Sequence, residues 1–523
     1  MTTHSLSFDN QFTQCFSADE VTENYPRQVN QAFSWVTPKL TAAPVLLAVT
    51  KRLATDLGFT DDAVTKPLFA NVFSGNQLLA GMQPYAMNYG GHQFGQWAGQ
   101  LGDGRAINLG QVTTEQDTLL TLQLKGAGPT PYSRTADGLA VLRSSIREFL
   151  CSEAMFHLGV PTTRALSLCL TGDSVVRDMF YNGNAKAELG AVVCRVSPSF
   201  LRFGCFQLPA SRGDKQLLTQ LVDFSITQNF PHLGQPCKAS YLQWFKEISE
   251  RTCQLIIHWM RVGFVHGVMN TDNLSIIGET IDYGPYGWID NFDLGWTPNT
   301  TDAQGKRYSF GAQAEIGQWN LFQLANAIYP LIEDAEPLNN ILNDYAALYQ
   351  QSWGEMMASK LGFEEYQSDD NELFISLENI MTELEMDMTL FYRLLAKATL
   401  NHSTNVLAFF HECFYQPEAL ELPEITLLEQ WLVRYFKRLE ANCYDNDERA
   451  IKMNRVNPKY VLRNYLAQQA IEQAEQGNYE LLHTLQTVFM NPYDEQPAFE
   501  QYAAKRPEWA KNKAGCSMLS CSS

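Results

Sequence analysis

The chain has 523 residues, of which 57 are Asp or Glu and 38 are Lys or Arg, giving a formal net charge of −19. A charge of this sign argues against a nucleic-acid-binding function, because affinity for nucleic acid comes from cationic side chains that neutralise phosphates. Apolar residues make up 45% of the chain, as in ordinary globular proteins. No apolar run approaches the ~20 residues of a membrane-spanning helix, so we expect no membrane partner.

The cysteines and the N-terminal residues both indicate a cytoplasmic protein. The 11 cysteines are dispersed from Cys15 to Cys521, without a C-x-x-C pair or zinc-type spacing. A dispersed set of this kind is typical of a reducing compartment. The first twenty residues have neither the layout of a secretory signal nor that of a transit peptide.

The first predicted strands follow a glycine-rich segment, and the second of them carries a lysine. Residues 1–78 carry no chemical signal, and six glycines then fall between positions 90 and 104. Strands are predicted at 104–112 and 118–126. The second strand alternates leucine with polar residues, so we expect Lys125 to point away from its apolar face.

The next elements are a helix, three strands and a second helix. Apolar residues recur at helical spacing within 139–159, and a Gly-Val-Pro sequence ends this helix. Strands are predicted at 164–170, 174–180 and 190–196, and a long helix at 240–263. The predicted order in this part of the chain is therefore a helix, three strands and a second helix, not a regular alternation of strand and helix.

From about residue 313 the pattern is helical to the end of the chain. Three long amphipathic stretches cover 373–400, 422–442 and 460–477. The sequence therefore predicts an α+β fold, in which a β-rich part and a long helix precede a large helical region.

The segment His266–Asp282, HGVMNTDNLSIIGETID, resembles the catalytic loop of protein kinases with one position changed. Kinases have H-x-D-x-x-x-x-N, with the aspartate as catalytic base and the asparagine on magnesium. His266 and Asn273 keep this spacing, but Val268 stands at the position of the base. Either catalysis is lost, or a different carboxylate serves a different chemistry. We expect His266 to bond backbone atoms around the loop.

Two acids and an amide in this segment are candidate metal ligands. Asp272 and Asn273 are adjacent, and Asp282 follows a short apolar run that reads as strand, turn and strand. Asp282-Tyr283-Gly284 stands where kinases have D-F-G. Oxygen ligands of this kind suit Mg²⁺ or Mn²⁺, which keep several waters and are completed by nucleotide phosphates.

A glycine turn, a strand lysine and a helix glutamate are candidates for phosphate binding. In Gly102-Asp103-Gly104-Arg105 the glycines allow backbone N–H groups to approach phosphate oxygens, and the arginine adds a bidentate donor. Kinases pair a strand lysine with a helix glutamate so that the ammonium is held against phosphate. Lys125 and Glu148 occupy such positions.

Four long blocks carry a resemblance to a known family: NYGGHQFGQWAGQLGDGRAINLGQV, LQLKGAGPTPYSRTADGLAVLRSSIREFL, RVSPSFLRFGCF and HGVMNTDNLSIIGETIDYGPYGWID. From about Tyr85 to its end the chain resembles the selenoprotein O (SelO) family, called YdiU in bacteria. The resemblance implies a two-lobed, protein kinase-like fold that transfers AMP from ATP to Ser, Thr or Tyr hydroxyls of proteins. It also implies that ATP binds reversed relative to kinases, with its γ-phosphate buried.

The resemblance also implies a division of the chain and a role for each site residue. The divisions would be an N-terminal extension (1–78), a kinase-like nucleotidyltransferase core (79–345) and a helical region with a cysteine-containing tail (346–523). Asp272 would accept the proton, Asn273 and Asp282 would hold Mg²⁺ or Mn²⁺, and Glu148 would pair with Lys125. The nucleotide would contact Asp282 and a set of residues in the first half of the chain: Gly102, Gly104, Arg105, Lys125, Asp137, Gly138, Arg195 and Arg202.

One feature of the tail departs from the eukaryotic pattern. Eukaryotic members carry selenocysteine close to the C-terminus, whereas this chain has Cys521 there. The preceding thiol, Cys516, lies five residues earlier rather than at the close C-x-x-U spacing. The sequence therefore does not favour a direct redox couple between the two.

Three alternatives to AMP transfer remain open from the sequence. The enzyme could transfer UMP from UTP with Mn²⁺, because little in the motifs selects the base. It could be an ordinary phosphotransferase that uses Asp272 as a displaced base, or a non-catalytic pseudokinase that binds nucleotide as a scaffold. The acceptors are proteins in the favoured interpretation, with the enzyme itself among the candidates.

Overall fold

The computed structural model describes residues 6–179, 182–443 and 445–520. Strands and short helices dominate up to about residue 200, and helices dominate the remainder. The α+β class predicted from the sequence is confirmed. Among the described residues no helix combines the length and the apolar character that crossing a bilayer requires.

The strands form one large sheet and two small ones. In chain order they are β1 (Ser7–Phe8), β2 (Ala18–Asp19), β3 (Phe33–Trp35), β4 (Val45–Val49), β5 (Tyr85–Met87), β6 (Gly90–Gln93), β7 (Gln96–Gln100), β8 (Ala106–Thr113), β9 (Leu119–Lys125), β10 (Ala140–Val141), β11 (Arg164–Arg177), β12 (Lys186–Ser197), β13 (Phe264–Val265) and β14 (Gly287–Trp288). The large sheet has the order β2-β3-β5-β8-β9-β12-β11-β4, with β1 beside β8 and β10 beside β12. The pairs β6–β7 and β13–β14 stand apart from it.

The helices lie on both faces of the large sheet and then form the C-terminal region. In chain order they are α1 (Gln11–Cys15), α2 (Lys51–Asp56), α3 (Asp61–Thr65), α4 (Pro67–Phe73), α5 (Leu142–His157), α6 (Phe203–Ser211), α7 (Lys215–Asn229), α8 (Lys238–Val262), α9 (Gln313–Ile332), α10 (Ala335–Lys360), α11 (Asp370–Glu383), α12 (Met388–Leu395), α13 (Val406–Phe409), α14 (Leu422–Leu439), α15 (Asn446–Val456), α16 (Asn464–Ala474) and α17 (Glu480–Val488). Short 3₁₀ turns connect several of them, including Thr271–Asn273 in the loop with the candidate metal ligands.

Each face of the large sheet has its own hydrophobic core. On one face Leu122 and Leu124 of β9 pack in a cluster with Phe73 of α4. On the other face Ile146 and Phe149 of α5 belong to the larger cluster that continues into the helical region. Full burial of one such side chain contributes about 1.5–3 kcal/mol. Because alternate residues of β9 face opposite sides, its polar residues point towards α5.

Several predicted elements are confirmed, with small shifts at their ends. Strands β8 and β9 match the predicted runs, and the long helix α8 ends at Gly263, whose φ of 76° is a left-handed helix cap. Helix α5 begins at Leu142, later than the apolar spacing indicated, because Ala140 and Val141 pair with β12. The chain then enters the loop of the candidate site directly from α8.

Three elements differ from the sequence predictions. The runs at 164–170 and 174–180 join in the single strand β11, whose register shifts between Leu170 and Ser174, because a β-bulge absorbs the intervening turn residues. The segment 274–282 contains no strand in the described structure, only isolated bridges: Leu274 with Thr280, Ser275 with Arg202, and Thr280 with Thr162. The amphipathic stretch 373–400 is broken between α11 and α12, where Glu385 has a φ of 44°.

The N-terminal residues are part of the large sheet. Strands β1, β3 and β4 come from the predicted extension 1–78 and pair with β8, β5 and β11, which follow residue 79, while β2 pairs with β3. The division of the chain at 79 and 346 stays a prediction. In the tail, Cys516 is buried and its carbonyl accepts a hydrogen bond from Asn464, whereas Cys521 lies outside the described residues.

Candidate active site

A cleft of about 390 Å³ lies between β8–β9 and the loop that follows α8. Most of the residues predicted to bind nucleotide or metal, or to accept the proton, line it: Gly102, Gly104, Arg105, Lys125, Arg195, Arg202, Asp272, Asn273 and Asp282. They come from five separate parts of the chain. The fold therefore brings together a set that the sequence spreads over 180 positions.

Lys125 and Glu148 form a buried ion pair at one end of this cleft. Lys125 is the last residue of β9, and Glu148 lies in the middle of α5 on the helix face that meets the sheet. The ammonium contacts Glu148 Oε2, so the contact expected between these two residues is confirmed. Burial lowers the pKa of Lys125, and the neighbouring Glu148 carboxylate opposes that shift.

Asp282 is held between two arginines. Arg195 Nη1 donates to Asp282 Oδ1 at 2.5 Å, and Arg202 Nη1 donates to Oδ2. Burial alone would raise the pKa of Asp282, but Arg202, Arg195 and Lys125 together hold it well below its usual range. Its φ of 55° lies in the left-handed region, a strained conformation that persists where the surroundings fix the residue.

The cleft lining has more cationic than acidic side chains. Five cations line it, Arg105, Lys125, Arg134, Arg195 and Arg202, against three aspartates, Asp103, Asp272 and Asp282. The Nε atoms of Arg195 and Arg202 are buried without a hydrogen-bond partner among the described residues. An excess of cationic donors in the cleft is electrostatically suited to a polyanion such as a nucleotide triphosphate.

Asp272 occupies the edge of the cleft with one oxygen free. Its Oδ2 accepts a hydrogen bond from Gln93 Nε2 at 3.3 Å, and its Oδ1 is buried without a partner in the described structure. Burial raises the pKa of Asp272 to about 6, against the lowering effects of Gln93 and Arg202. The carboxylate is therefore mostly ionised at neutral pH and suited to accept a proton.

The loop around Asp272 is fixed by hydrogen bonds to its own backbone. His266 Nε2 donates to the carbonyl oxygen of Ile281 at 2.9 Å, and His266 Nδ1 accepts from the N–H of Val268 at 3.4 Å. The structural role expected of His266 is thus confirmed. Burial lowers its pKa, which agrees with a neutral imidazole. Val268 also lines the cleft, so no carboxylate occupies the position of the kinase base.

The glycine turn needs its glycines for close packing. Gly102 has a φ of 74°, and a Cβ there would lie 2.3 Å from the ring of Tyr132. A Cβ at Gly104 would lie 2.9 Å from the backbone oxygen of Tyr132. Arg105, which follows, is exposed and lines the cleft. The turn therefore places a solvent-facing cation at the entrance while its backbone packs against the 130–138 loop.

The oxygen donors in the cleft fit a divalent cation completed by a nucleotide. Asn273 donates its amide nitrogen to the carbonyl of Val268 at 3.0 Å, and its side-chain oxygen has no partner within the described residues. Each Asp282 oxygen retains a lone pair beside its arginine contact. No group of three or more His, Cys, Asp or Glu in the described ranges could hold a metal by itself. Phosphate and water oxygens would have to complete the site, as is usual for Mg²⁺.

Three predicted residues lie outside the cleft lining: Glu148, which pairs with Lys125, Asp137 and Gly138. Asp137 forms a bidentate ion pair with Arg177, with contacts of 2.7 and 2.8 Å. At Gly138 the φ is 70°, and a Cβ would lie 2.2 Å from the carbonyl oxygen of Gly128. The structure thus gives Gly138 a packing role, and nucleotide binding by Asp137 or Gly138 stays a prediction.

Two glutamines that contact the site were not predicted from the sequence. Gln123 accepts a hydrogen bond from Arg195 Nη2, and Gln93 donates to Asp272. The signal for Gln123 was present, because it lies two residues before Lys125 on the same face of β9. Nothing in the sequence connects Gln93 with a loop almost 180 residues later.

Comparison with known proteins identifies the family of this chain. The family model described as protein adenylyltransferase SelO matches residues 16–490. Protein nucleotidyltransferase YdiU of Aromatoleum aromaticum is 56% identical over 524 residues, covering 99% of this chain and 100% of that protein. The proteins of the same name from Azoarcus sp. and Xanthomonas axonopodis pv. citri are 55% and 54% identical, with 99% of this chain covered in each case.

The chain belongs to the SelO family. It is accordingly an enzyme of the nucleotidyltransferase class. A nucleotide is then the co-substrate. The resemblance stated from four sequence blocks is confirmed over nearly the whole length of the chain.

Proposed function

We propose that this SelO enzyme transfers AMP from ATP to Ser, Thr or Tyr hydroxyl groups of proteins. The observation that carries the proposal is a juxtaposition within one cleft. Asp272, with a free buried oxygen, borders the same cavity as the cations Lys125, Arg195 and Arg202. A proton acceptor beside a polyphosphate site is what transfer to a hydroxyl requires. Protein acceptors agree with the name of the relatives, protein nucleotidyltransferase.

The transfer balances with the groups available. The acceptor oxygen forms a bond to the α-phosphorus of ATP, and the bond from that phosphorus to the oxygen of the β-phosphate breaks. Pyrophosphate leaves, and the hydroxyl proton moves to Asp272. Negative charge grows on the departing pyrophosphate, so Lys125, Arg195 and Arg202 would stabilise the transition state electrostatically. The Lys125 ammonium is already fixed by Glu148, which limits the reorganisation that the step needs.

We further propose that ATP lies reversed relative to kinases, in a kinase-like two-lobed fold. Two features support this orientation. The buried cations offer the deepest positions to the terminal phosphates, and Val268 leaves the kinase position without a base. The strand lysine paired with a helix glutamate, and the loop from His266 to Asp282, support the kinase-like arrangement.

Asn273 and Asp282 would hold Mg²⁺ or Mn²⁺ in this proposal. When bound, such an ion neutralises phosphate charge and favours departure of pyrophosphate. The protein itself would supply oxygen ligands next to its lysine and arginine side chains. Asp282, whose pKa is held low by Arg202 and Arg195, is ionised at neutral pH, as a ligand to a hard cation must be.

Labelled nucleotides test the proposal directly. We expect protein to retain label from α-labelled ATP and none from γ-labelled ATP, in the presence of Mg²⁺ or Mn²⁺. A parallel reaction with α-labelled UTP reports transfer of UMP. Retention of γ-label alone would identify a phosphotransferase. Nucleotide binding with no label on protein from any source would identify a scaffold, and either result would overturn AMP transfer.

A further inference from the structure

The hairpin β6–β7 is docked on the loop that carries Asp272. Residues 92–94 of the hairpin donate three hydrogen bonds to residues 270–272 of the loop. These bonds run from the His92 N–H to Thr271 Oγ1 at 2.7 Å, from Gln93 Nε2 to Asp272 Oδ2 at 3.3 Å, and from the Phe94 N–H to Asn270 Oδ1 at 3.2 Å. The turn of this hairpin therefore stands directly beside the proton acceptor, at the mouth of the cleft.

The turn itself holds an aromatic residue in a strained conformation. Phe94 has a φ of 49° and Gly95 a φ of 81°, the combination of a tight hairpin turn in which glycine or asparagine is usual. A bulky residue in this region costs free energy and persists where function requires it. Phe94 is 38% exposed, with its ring centre 5.3 Å from that of Tyr308, and Trp97 on the following strand is 39% exposed.

A stacked arginine lies against the same turn. The Arg307 guanidinium lies 4.6 Å from the ring centre of Trp319 and 5.7 Å from that of Tyr308. A Cβ on Gly95 would be only 3.6 Å from Arg307 Cζ. The Asp302 carboxylate accepts a hydrogen bond from the Arg307 backbone N–H at 3.0 Å, but no carboxylate in the described part of the chain forms a side-chain ion pair with the guanidinium, whose Nε is buried without a partner. Stacking fixes a guanidinium and leaves its edges available to a carboxylate.

These residues form one surface, which we name the turn surface: Phe94, Trp97, Arg307 and Trp319. His92 connects its two tryptophans, with ring centres 5.0 Å from Trp97 and 5.5 Å from Trp319. Rigid aromatic and arginine side chains of this kind dominate binding energy at protein interfaces.

We propose that the turn surface binds the acceptor protein, and that Arg307 selects acceptors with Asp or Glu within about five residues of the modified hydroxyl. The proposal rests on AMP transfer to proteins, because the hydroxyl must reach Asp272. An extended segment of five residues spans about 17 Å, so a segment with its hydroxyl at Asp272 continues over the adjoining turn. The fixed cation then favours a carboxylate there and repels lysine or arginine.

Paired synthetic peptides test this selection. Each pair has one Ser, Thr or Tyr acceptor and differs only in carrying Asp or Lys at one position within five residues of it. With α-labelled ATP, we expect kcat/KM to favour the Asp peptide by about two- to fivefold at one or several positions, the ratio that a partly exposed ion pair gives. Arg307→Glu should reverse the preference, and Arg307→Lys should keep its direction.

Lys306→Glu is the matched control, because Lys306 is the exposed neighbour of Arg307 and takes no part in the aromatic stack. This variant should keep the wild-type preference. Equal transfer to both peptides of every pair, or an Arg307→Glu enzyme with the wild-type preference, would overturn the proposal. The proposal would also be overturned if the enzyme labelled proteins but labelled no acidic peptide. If α-label appears on no protein at all, the proposed function itself fails.

Discussion

Asp272 combines two properties that usually exclude each other, burial and an unpaired oxygen. Buried carboxylate oxygens are normally hydrogen-bonded, because an unpaired one loses its hydration without compensation. Here Gln93 holds Oδ2 and leaves Oδ1 free. Such a residue is retained where a substrate group completes the contact, which agrees with a role as acceptor of the hydroxyl proton.

Replacement of this carboxylate gives the first prediction. In Asp272→Asn the shape is kept but the side chain no longer accepts a proton. We expect the rate of AMP transfer to fall by about 10²–10⁴-fold, the usual contribution of general base catalysis, with little change in ATP affinity. Single-turnover transfer and equilibrium ATP binding measure the two effects. The control is Asp344→Asn, an exposed position on α10, and equal rates for both variants would contradict the assignment.

At the scale of elements, the close contact between the hairpin β6–β7 and the loop that carries Asp272 requires glycine at position 91. A Cβ on Gly91 would lie 2.5 Å from Asp272 Oδ1 and 2.9 Å from Asp272 Cβ. Real Cβ atoms do not approach so closely, so the hairpin reaches the loop because residue 91 lacks a side chain. The position of Asp272 therefore depends on a glycine in another element.

Gly91→Ala should displace Asp272 without unfolding the enzyme. A misplacement of about 1 Å at a reacting group costs about 10²-fold in rate, and we expect kcat to fall by at least tenfold. The melting temperature should change little, since the φ of Gly91 is not in the left-handed region. Gly305→Ala is the control, because its Cβ would approach no closer than 3.7 Å to Asp302 Oδ1. A kcat equal to that of the control would show that the hairpin does not position the base.

At the scale of the whole molecule, one buried arginine ties the C-terminal helices to the site-bearing region. Arg463, which precedes α16, contacts Asp290 at 2.9 Å and Asp387 at 2.8 Å. Asp290 follows β14, and Asp387 caps the start of α12 through the N–H of Leu390. Three distant segments thus meet at a side chain that is 1% exposed.

Removal of Arg463 leaves two carboxylates without their main partner. Breaking a buried ion pair by removing one partner costs about 3–5 kcal/mol, so Arg463→Met should lower the free energy of unfolding by about that amount. Arg434→Met is the matched control, because Arg434 forms an exposed pair with Glu372 worth less than about 1 kcal/mol. Denaturant unfolding measures both variants, and equal losses would mean that the buried network contributes no more than a surface pair.

The sequence predicted the structure correctly where the pattern involves residues that are close together in the chain. Alternation of leucine with polar residues predicted β9 and the direction of Lys125, because side chains of a strand alternate between faces. Helical spacing and a glycine cap predicted α8. The spacing of His266 and Asn273 predicted the structural histidine, since loop hydrogen bonds connect residues that are close in the chain. The sequence did not predict the break between α11 and α12, because one apolar periodicity runs through both helices.

By itself the sequence determined the family, the α+β class, and the residue types that gather for a nucleotide: glycines, cations and oxygen ligands. Only the tertiary structure decided that Arg195 and Arg202 hold Asp282, that Gln93 holds Asp272, and that Arg307 stands beside the hairpin turn. These contacts join residues 80 to more than 200 positions apart. Periodicity and spacing carry no information on such pairs, because the sheet and the helices that bring them together are fixed by packing of the whole chain.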